Sequence, residues 1–438
     1  MKIDARYWCQ SPNFYIVGDK SLDFLAVFTY NYKMYIDRPE YIRKLLSFKD
    51  KQLIKIVTGL RRCGKSTLLE LYQAVLEKQG VLPGQILSFN LEDPIYRDLL
   101  DWAKLYDHID AYLMPDKMNY VFIDEIQNVT DFQKAADGLF VKKNVDLYLT
   151  GSNSKMQSGE WATLLSGRYV EIHMLPLSFK EFYGAFGKPA SVDNIFADYV
   201  SLSSFPQMLQ FMQGNSTAGE LRLLSRHYLE GVYNTIVLKD VMESRKIKEA
   251  GRLERLMQFM ASVIGSEISI KRISDTMSSD GVKMLPLTVE SYLEAFRDSY
   301  VLYRADRYDV KGKKLLKTLN KYYLVDLGLR RFLLGDKPVD SGHVLENIVY
   351  LELLRRGNKV YVGKVDEKEV DFITEGINGT EYFQVAETVR GEETLARELA
   401  PLSAIHDHNP KFLLTRDYES AISHNGIKQL NVLEWLLG

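Results

Sequence analysis

The sequence contains only two cysteines, Cys9 and Cys63, among 438 residues. Two are too few for the disulfide framework of a small secreted protein, so we expect a reducing compartment. The apolar run FLAVF at residues 24–28 is far too short to span a bilayer. The residues before it lack the basic and then apolar order of a secretion signal. We therefore expect a cytoplasmic protein with no membrane partner.

Neither sign of charge is in excess, since the formal net charge is -2. This excludes a protein coated in nucleic acid through its overall charge and leaves only local basic patches as candidates. The composition, with 46% hydrophobic and 26% charged residues, is that of an ordinary globular protein. The length exceeds what one hydrophobic core usually organises, so roughly two to four domains are expected.

Residues 53 to 80 predict a strand, a glycine loop and a helix. The run LIKIV precedes TGLRRCGKS, and apolar residues at helical spacing follow as far as Gly80. The spacing G-x-x-x-x-G-K-S in this context is typical of a P-loop, which binds the phosphates of a nucleotide through main-chain amides and a helix N-terminus. The predicted ATP-binding residues are Gly59, Leu60, Arg61, Arg62, Cys63, Gly64, Lys65, Ser66 and Thr67.

Individual roles follow from the chemistry of phosphates. We expect Lys65 to reach the β- and γ-phosphates and Ser66 to offer its hydroxyl to Mg²⁺. For Arg61 and Arg62 three alternatives stay open: a solvated loop, phosphate contact, or a link to a neighbouring subunit.

Two further apolar strands end in polar residues. In NYVFIDEIQNV at residues 119–129, the apolar strand ends at Asp124 and Glu125. We expect Asp124 to hold Mg²⁺ through water and Glu125 to polarise the attacking water. In VDLYLTGSNSKM at residues 145–156, the apolar strand is followed by the polar residues Ser152 and Asn153. Either of them could position the γ-phosphate or the attacking water, and the alternative is that they simply form a turn. The pattern predicts an α/β fold with a parallel sheet and its ligand at the carboxyl edge.

These segments, together with LLSGRYVEIHMLPLSFKEF, KYYLVDLGLRRFLL, LENIVYLELLRRGNKVYVGK and EVDFIT, resemble the AAA-family ATP-binding proteins of bacteria and archaea that carry a DUF4143-type C-terminal region. The resemblance covers roughly residues 35 to 438. It implies an AAA ATPase core at 35–190, a helical and winged-helix region at 191–335 and a PD-(D/E)XK nuclease-like domain at 336–438. Residues 1–34 would form an N-terminal extension.

The resemblance also assigns an arginine. Arg168 in SGRY matches an arginine that could complete a neighbour's active site, which would require a homo-oligomer. The alternative is a surface arginine paired with Glu171 or with a helix end. One departure is SLSSFPQML at 201–209, where relatives commonly have paired glycines before Phe-Pro, so the geometry of that turn is open.

The predicted winged helix supplies a candidate DNA contact. Its two helices are expected in SEISIKRISDTM and LTVESYLEAFRDSY, and its wing in KGKKLLKTLNK at 311–321. The wing collects five lysines that could meet a phosphate backbone, although a solvated face or a protein-binding face is equally consistent with such a run. They are Lys311, Lys313, Lys314, Lys317 and Lys321.

The C-terminal region lacks part of a nuclease site. Asp371 matches the first metal-binding acid of the nuclease pattern, but Gln384 and Ala386 stand where an acid and a lysine are required, and Glu387 would face the other side of its strand. Nuclease activity is therefore not expected. Glu346 is expected to pair with Arg355 or Arg356, or to cap a neighbour.

Taken together, the sequence predicts an ATP-hydrolysing switch or motor that uses ATP and Mg²⁺ and is coupled to DNA. Two alternatives stay open. One is an ATP-gated DNA nuclease, and the other is a nucleotide-binding interaction protein with little turnover.

Overall fold

The computed structural model describes residues 36–151, 165, 167–186, 191–214, 216–242, 247, 249–335, 341–418 and 422–438. Within the chain, residues 35–438 form one compact unit. Across the described ranges, no helix combines the length and the apolar character that a bilayer crossing requires.

A five-stranded parallel sheet forms the first layer, in the order β5-β1-β4-β3-β2. Its strands are β1 (Ile54–Thr58), β2 (Ile86–Asn90), β3 (Asn119–Asp124), β4 (Val145–Gly151) and β5 (Tyr169–His173). Its helices are α1 (Pro39–Ser47), α2 (Lys65–Lys78), α3 (Trp102–Tyr112) and α4 (Phe132–Val141). Every residue of β1 and β3 is buried, because apolar clusters cover both faces of the sheet. The predicted α/β class with a parallel sheet is confirmed.

Helices make up the middle of the chain. They are α5 (Phe179–Gly184), α6 (Val192–Ser201), α7 (Pro206–Met212), α8 (Ala218–Tyr233), α9 (Ala250–Ser262), α10 (Ile270–Ser279), α11 (Pro286–Asp298) and α12 (Leu327–Leu334). A π-helical segment, Asn234–Asp240, continues α8. These helices share one apolar core with a second sheet.

The second sheet has eight strands, in the order β12-β13-β11-β10-β9-β8-β6-β7. Its elements are β6 (Leu302–Asp309), β7 (Lys314–Leu324), α13 (Ser341–Arg355), β8 (Lys359–Val365), β9 (Lys368–Gly376), β10 (Gly379–Ala386), α14 (Glu392–Ser403), β11 (Lys411–Thr415), β12 (Ile422–His424), β13 (Ile427–Asn431) and α15 (Val432–Leu437).

The β6–β7 hairpin, which the sequence suggested as a wing, belongs to this second sheet. β6 pairs in parallel with β8 and antiparallel with β7. The expected boundary at residue 335 therefore cuts across a single sheet, because strands on both sides of it are hydrogen-bonded to each other. The winged-helix assignment and the domain division stay predictions.

The lysine patch expected on this hairpin is smaller than the sequence indicated. Lys321 lies in β7 and is only 4% exposed, so it is not part of a surface patch. Lys311 is exposed and pairs with Asp366 at 2.7 Å. The error arose because a strand that is covered on one face carries buried and exposed lysines in the same run.

The turn SLSSFPQML is closed by a carboxylate from a distant helix. Asp326 caps α12 by accepting from the amide of Leu329 at 2.7 Å. It also accepts from the hydroxyls of Ser203 and Ser204 and from the amide of Ser204, at 2.7 to 3.0 Å. Gly328 permits this contact, since a Cβ there would lie 2.1 Å from the Leu202 carbonyl oxygen. The two serines thus anchor α12 to the segment between α6 and α7.

Replacing Asp326 with alanine should lower the stability of the protein markedly. The change leaves several buried donors without an acceptor and removes the cap, at a cost of roughly 2–4 kcal/mol. Urea unfolding followed by circular dichroism measures the shift in midpoint. The matched control is Asp280→Ala, which removes an exposed carboxylate at the end of α10. Equal midpoints for the two variants would contradict the anchoring role of Asp326.

Candidate nucleotide site

The glycine loop adopts a conformation that only glycine tolerates at two positions. Gly59 has a φ of 142° and Gly64 a φ of 102°. A Cβ on Gly59 would lie 2.2 Å from the carbonyl oxygen of Met174. The loop is therefore in close contact with the residue that follows β5, and it leads directly into the N-terminus of α2.

Lys65, the first residue of α2, points back over this loop. Its ammonium donates to the carbonyl oxygens of Gly59 at 3.2 Å and Leu60 at 3.3 Å, and lies 3.8 Å from a Glu125 carboxylate oxygen. The side chain is 4% exposed. A buried ammonium beside main-chain amides is the arrangement that binds a phosphate chain.

The two acids at the end of β3 are fixed by one hydroxyl from β4. Thr150 donates to an Asp124 carboxylate oxygen and accepts from the amide of Glu125 at 3.0 Å. Glu125 takes a left-handed φ of 54°, and its carboxylate accepts from the side-chain amide Nε2 of Gln127. This turn carries the Glu125 side chain from the end of the strand toward Lys65.

Asp124 lies beside the helix residue predicted to bind metal with it. Burial raises the pKa of Asp124, while the hydroxyls of Ser66 and Thr150 and the Lys65 ammonium act in the opposite direction. The hydrogen bond with Ser66 places both predicted magnesium ligands together at the carboxyl edge of the sheet.

Arg38, which the sequence did not single out, stabilises the glycine loop through hydrogen bonds and an ion pair. Its guanidinium donates to the carbonyls of Cys63 at 3.2 Å and Leu175 at 2.7 Å, and pairs with Glu181 at 2.8 Å. Arg38 is 4% exposed. No spacing rule could have found it, because its partners lie 25 to 143 residues away along the chain.

The loop arginines contact the helical region of their own chain. Arg61 lies 3.0 Å from Asp240 in the π-helical segment and 4.0 Å from Glu92. Arg62 lies over the ring of Tyr228 in α8, 5.8 Å from its centroid. The structure thus adds an intramolecular role to the alternatives left open by the sequence. Phosphate contact by Arg61 and Arg62 stays a prediction.

The remaining predicted residues fall in different places. Cys63 is buried, and burial raises the pKa of its thiol. The side chain therefore stays neutral and packs as a small apolar residue. Thr67 follows Ser66 in the first turn of α2. Ser152 and Asn153 lie outside the described residues.

Arg168 precedes β5 and so lies at the amino ends of the strands, whereas the glycine loop follows β1 at their carboxyl ends. It is close to Asp137, at 3.4 Å, and to the ring of Phe140, instead of pairing with Glu171 as the alternative supposed. Its carbonyl accepts from Ile54 at the start of β1. It does not join the site of its own chain, and a role in a neighbour's site stays a prediction.

His173 connects the site to the second sheet. Its Nδ1 lies 3.3 Å from the Thr58 hydroxyl, and its Nε2 lies 2.8 Å from the hydroxyl of Tyr303 in β6. Thr58 gives its single proton to Glu171 at 2.6 Å, so the neutral imidazole donates from Nδ1 and accepts at Nε2. Burial, with help from Arg355, Lys44 and Lys65, lowers the pKa of His173 to about 4.

The residues of the glycine loop, together with Ser66 and Asp124, fit Mg²⁺ and a nucleoside triphosphate. The loop would be overfilled by a Cβ at Gly59, and the Lys65 ammonium meets carbonyls and a carboxylate at distances of 3.2 to 3.8 Å, where a phosphate oxygen would be a stronger partner. Ser66 and Asp124 supply oxygen ligands of the kind that Mg²⁺ prefers.

A second cluster lies in the C-terminal sheet and contains a lysine where a metal ion was considered. Lys321 contacts Glu369 at 2.6 Å, Glu346 at 2.9 Å and Asp371 at 3.9 Å. The pairing of Glu346 with Arg355 or Arg356 was therefore wrong, since both arginines pair with Glu352. The helix α13 buries Glu346 against β7, which sequence spacing did not indicate.

The electrostatics of this cluster are those of a closed ion pair network. Burial alone lowers the pKa of Lys321, but the three carboxylates outweigh it and hold the pKa above its usual value. Asp371 accepts from the amide of Val385 at 2.8 Å, and its own amide donates to Gln384 at 3.3 Å. Among the described residues, no group of three or more acids, histidines or cysteines is arranged to hold a metal ion.

Acid should destabilise the protein through His173. The unfolded chain binds a proton near pH 6.5, whereas the folded imidazole resists it until about pH 4. Stability is complete above pH 6.5 and falls as the pH drops toward 4, by roughly 1–3 kcal/mol from this group. His173→Gln should flatten this part of the pH profile of the urea midpoint. His406→Gln, at an exposed histidine, should leave the wild-type slope, and a slope unchanged in both variants would contradict the assignment.

Removing Lys321 should be costly. Lys321→Met leaves three neighbouring carboxylates without their cation and should lower the free energy of unfolding by roughly 3–5 kcal/mol. Lys311→Met breaks an exposed pair and should change it by less than about 1 kcal/mol. Thermal unfolding of both variants measures the difference. A Lys321→Met variant as stable as Lys311→Met would show that the cluster is not a closed network.

The comparisons with known proteins agree with the site in the first sheet. A family model described as an AAA domain matches residues 51–183. A model described as a domain of unknown function, DUF8612, matches residues 194–340. This is a different domain from the DUF4143-type region that the sequence resemblance implied, so the nuclease-like identity of the C-terminal region is not confirmed.

Solved structures show weaker likeness. The Walker-type ATPase PABY2304 of Pyrococcus abyssi is 15% identical with a TM-score of 0.47, and the match covers 68% of this chain and 95% of that one. Cdc6p from Pyrobaculum aerophilum is 13% identical with a TM-score of 0.27, covering 74% of this chain and 97% of that one.

Two sequence relatives match over most of their length. An uncharacterized protein of Haemophilus influenzae is 38% identical over 410 residues, which is 92% of this chain and 99% of the relative. The uncharacterized protein MJ1544 of Methanocaldococcus jannaschii is 30% identical over 372 residues, which is 79% of this chain and 78% of the relative. The chain therefore belongs to the family of these two proteins and carries an AAA domain at residues 51–183.

Proposed function

We propose that the protein is an ATP-hydrolysing switch whose nucleotide state repositions the helical region and the second sheet. The observation that carries the proposal is the meeting of Lys65, Glu125 and the Asp124–Ser66 pair at the carboxyl edge of the first sheet. These groups provide a phosphate-binding ammonium, a carboxylate near it, and two oxygen ligands for a metal ion.

Each residue has a distinct task in this proposal. The loop amides and Lys65 bind the phosphate chain, and Glu125 orients and polarises the attacking water. Ser66 and Asp124 would hold Mg²⁺, which neutralises charge that develops on the phosphates during hydrolysis. Thr150 fixes both acids through its single hydroxyl.

The link to the rest of the molecule uses contacts made by the site itself. Arg61 and Arg62 contact Asp240 and Tyr228 of the helical region, and His173 contacts Tyr303 of the second sheet. A loop that shifts when phosphates bind would move these partners, which is how nucleotide state is converted into a change of shape. Exposed lysines of the β6–β7 hairpin, Lys313 and Lys314, support DNA as the partner of this switch.

Glu125→Gln should abolish turnover while retaining nucleotide binding. Loss of the polarising carboxylate should slow phosphate release from Mg·ATP by at least about 100-fold, because general base catalysis contributes on that order. Phosphate release and calorimetric ATP binding are measured side by side. Glu77→Gln, at an exposed site on α2, is the matched control and should keep wild-type rates.

The same assay separates the proposal from its rivals. Wild-type protein without measurable phosphate release would favour an interaction protein that only binds nucleotide. Turnover measured with and without duplex and single-stranded DNA tests the coupling, since stimulation supports a DNA-linked switch and unchanged rates contradict it. Metal-dependent nicking of the same DNA that disappears in Asp371→Ala would favour the nuclease.

A further inference from the structure

A pocket of about 390 Å³ lies between three helices of the middle region, apart from the nucleotide site. The end of α6, the first three turns of α8 and the length of α12 form its walls. Its floor is closed where Gly328 packs on Leu202, and where the Ser225 hydroxyl donates to the Leu202 carbonyl at 2.9 Å. The pocket is therefore a built cavity between packed helices.

The charge of this pocket has one sign. Arg222, Arg226 and Arg331 all line it, and no carboxylate is among its described lining residues. Arg222 and Arg226 stand one helical turn apart, so their side chains lie on the same face of α8. Arg331 enters from α12 and donates weakly to the Ser201 carbonyl at 3.5 Å.

Two of these guanidinium groups have no counter-ion among the residues that the structure describes. Within the described ranges, neither Arg222 nor Arg226 is in an ion pair or a side-chain hydrogen bond, in contrast to Arg252 in α9, which pairs with Glu249 at 2.8 Å. Like charges brought together on one face destabilise the helix unless an anion joins them.

We propose that this pocket binds a small phosphate-bearing ligand. Planar guanidinium groups recognise phosphate oxygens through paired hydrogen bonds, and three of them converge on one cavity here. Leu229 and Phe332 line the same cavity and supply an apolar wall for the rest of the molecule. A nucleotide or a phosphorylated metabolite has the size and the mixed character that the cavity requires. This inference does not depend on ATP hydrolysis at the glycine loop.

The probe is inorganic pyrophosphate, measured by calorimetry on the full chain. Because the glycine loop also binds phosphates, the titration is made in Lys65→Ala protein, and again in wild type with Mg²⁺ and saturating ADP. Pyrophosphate should bind in both cases. Arg222→Gln and Arg226→Gln should each weaken this binding by at least about tenfold, since each removes charged hydrogen bonds to phosphate.

Controls keep a loss of binding distinct from a loss of fold. Arg255→Gln removes an exposed arginine from α9 and should leave pyrophosphate binding at the level of its parent protein. All variants should keep the parent's thermal unfolding midpoint, since Arg222 and Arg226 are both exposed. Absence of pyrophosphate binding, or binding that Arg222→Gln and Arg226→Gln leave unchanged, overturns the proposal.

A competition arm identifies the source of the phosphate. If AMP displaces pyrophosphate and a short single-stranded oligonucleotide does not, the ligand is a small phosphorylated molecule as proposed. Displacement by the oligonucleotide alone would overturn the small-ligand assignment and would instead mark the pocket as a contact for a nucleic acid backbone.

Discussion

The buried guanidinium of Arg38 is the contact on which the nucleotide site depends. It joins the glycine loop, the segment after β5 and helix α5 through three partners, Cys63, Leu175 and Glu181. A charge of this kind is stable inside a protein only when it is paired and fully hydrogen-bonded. These bonds connect the glycine loop to the segment that follows β5 and to α5.

Polar side chains with defined hydrogen-bond partners connect the first sheet and its helices to the rest of the chain. Thr58, His173 and Tyr303 form a chain of hydrogen bonds from the end of β1 to the second sheet. Lys44 donates to the carbonyl of Arg355, and Arg355 donates to the Tyr41 hydroxyl, which joins α1 to α13. Directional bonds between elements of different layers have few alternative arrangements, so they fix how these layers pack on each other.

The C-terminal cluster illustrates how a charged site can persist without a metal ion. Lys321 supplies a positive charge among Glu346, Glu369 and Asp371, and Gln384 bonds the amide of Asp371. An ammonium fixed to a strand cannot exchange with solvent as an ion does. The cluster therefore joins β7, β9 and α13 as a structural element, whereas Arg222 and Arg226 are in no ion pair among the described residues.

The sequence by itself determined the first layer and its site. Apolar strands of β-branched residues, each followed by polar side chains, predicted a parallel sheet with Lys65, Asp124 and Glu125 at one edge. The sheet was predicted correctly because strand periodicity and the P-loop spacing are local properties of the chain, while the roles of these three residues stay predictions. The wing lysine Lys321 and the partner of Glu346 were misjudged, since burial depends on which strands pair. Only the tertiary structure brought together the partners of Arg38, Thr150 and His173 and the residues that line the Arg222 pocket, because these groups are remote in sequence and meet only when separate elements pack.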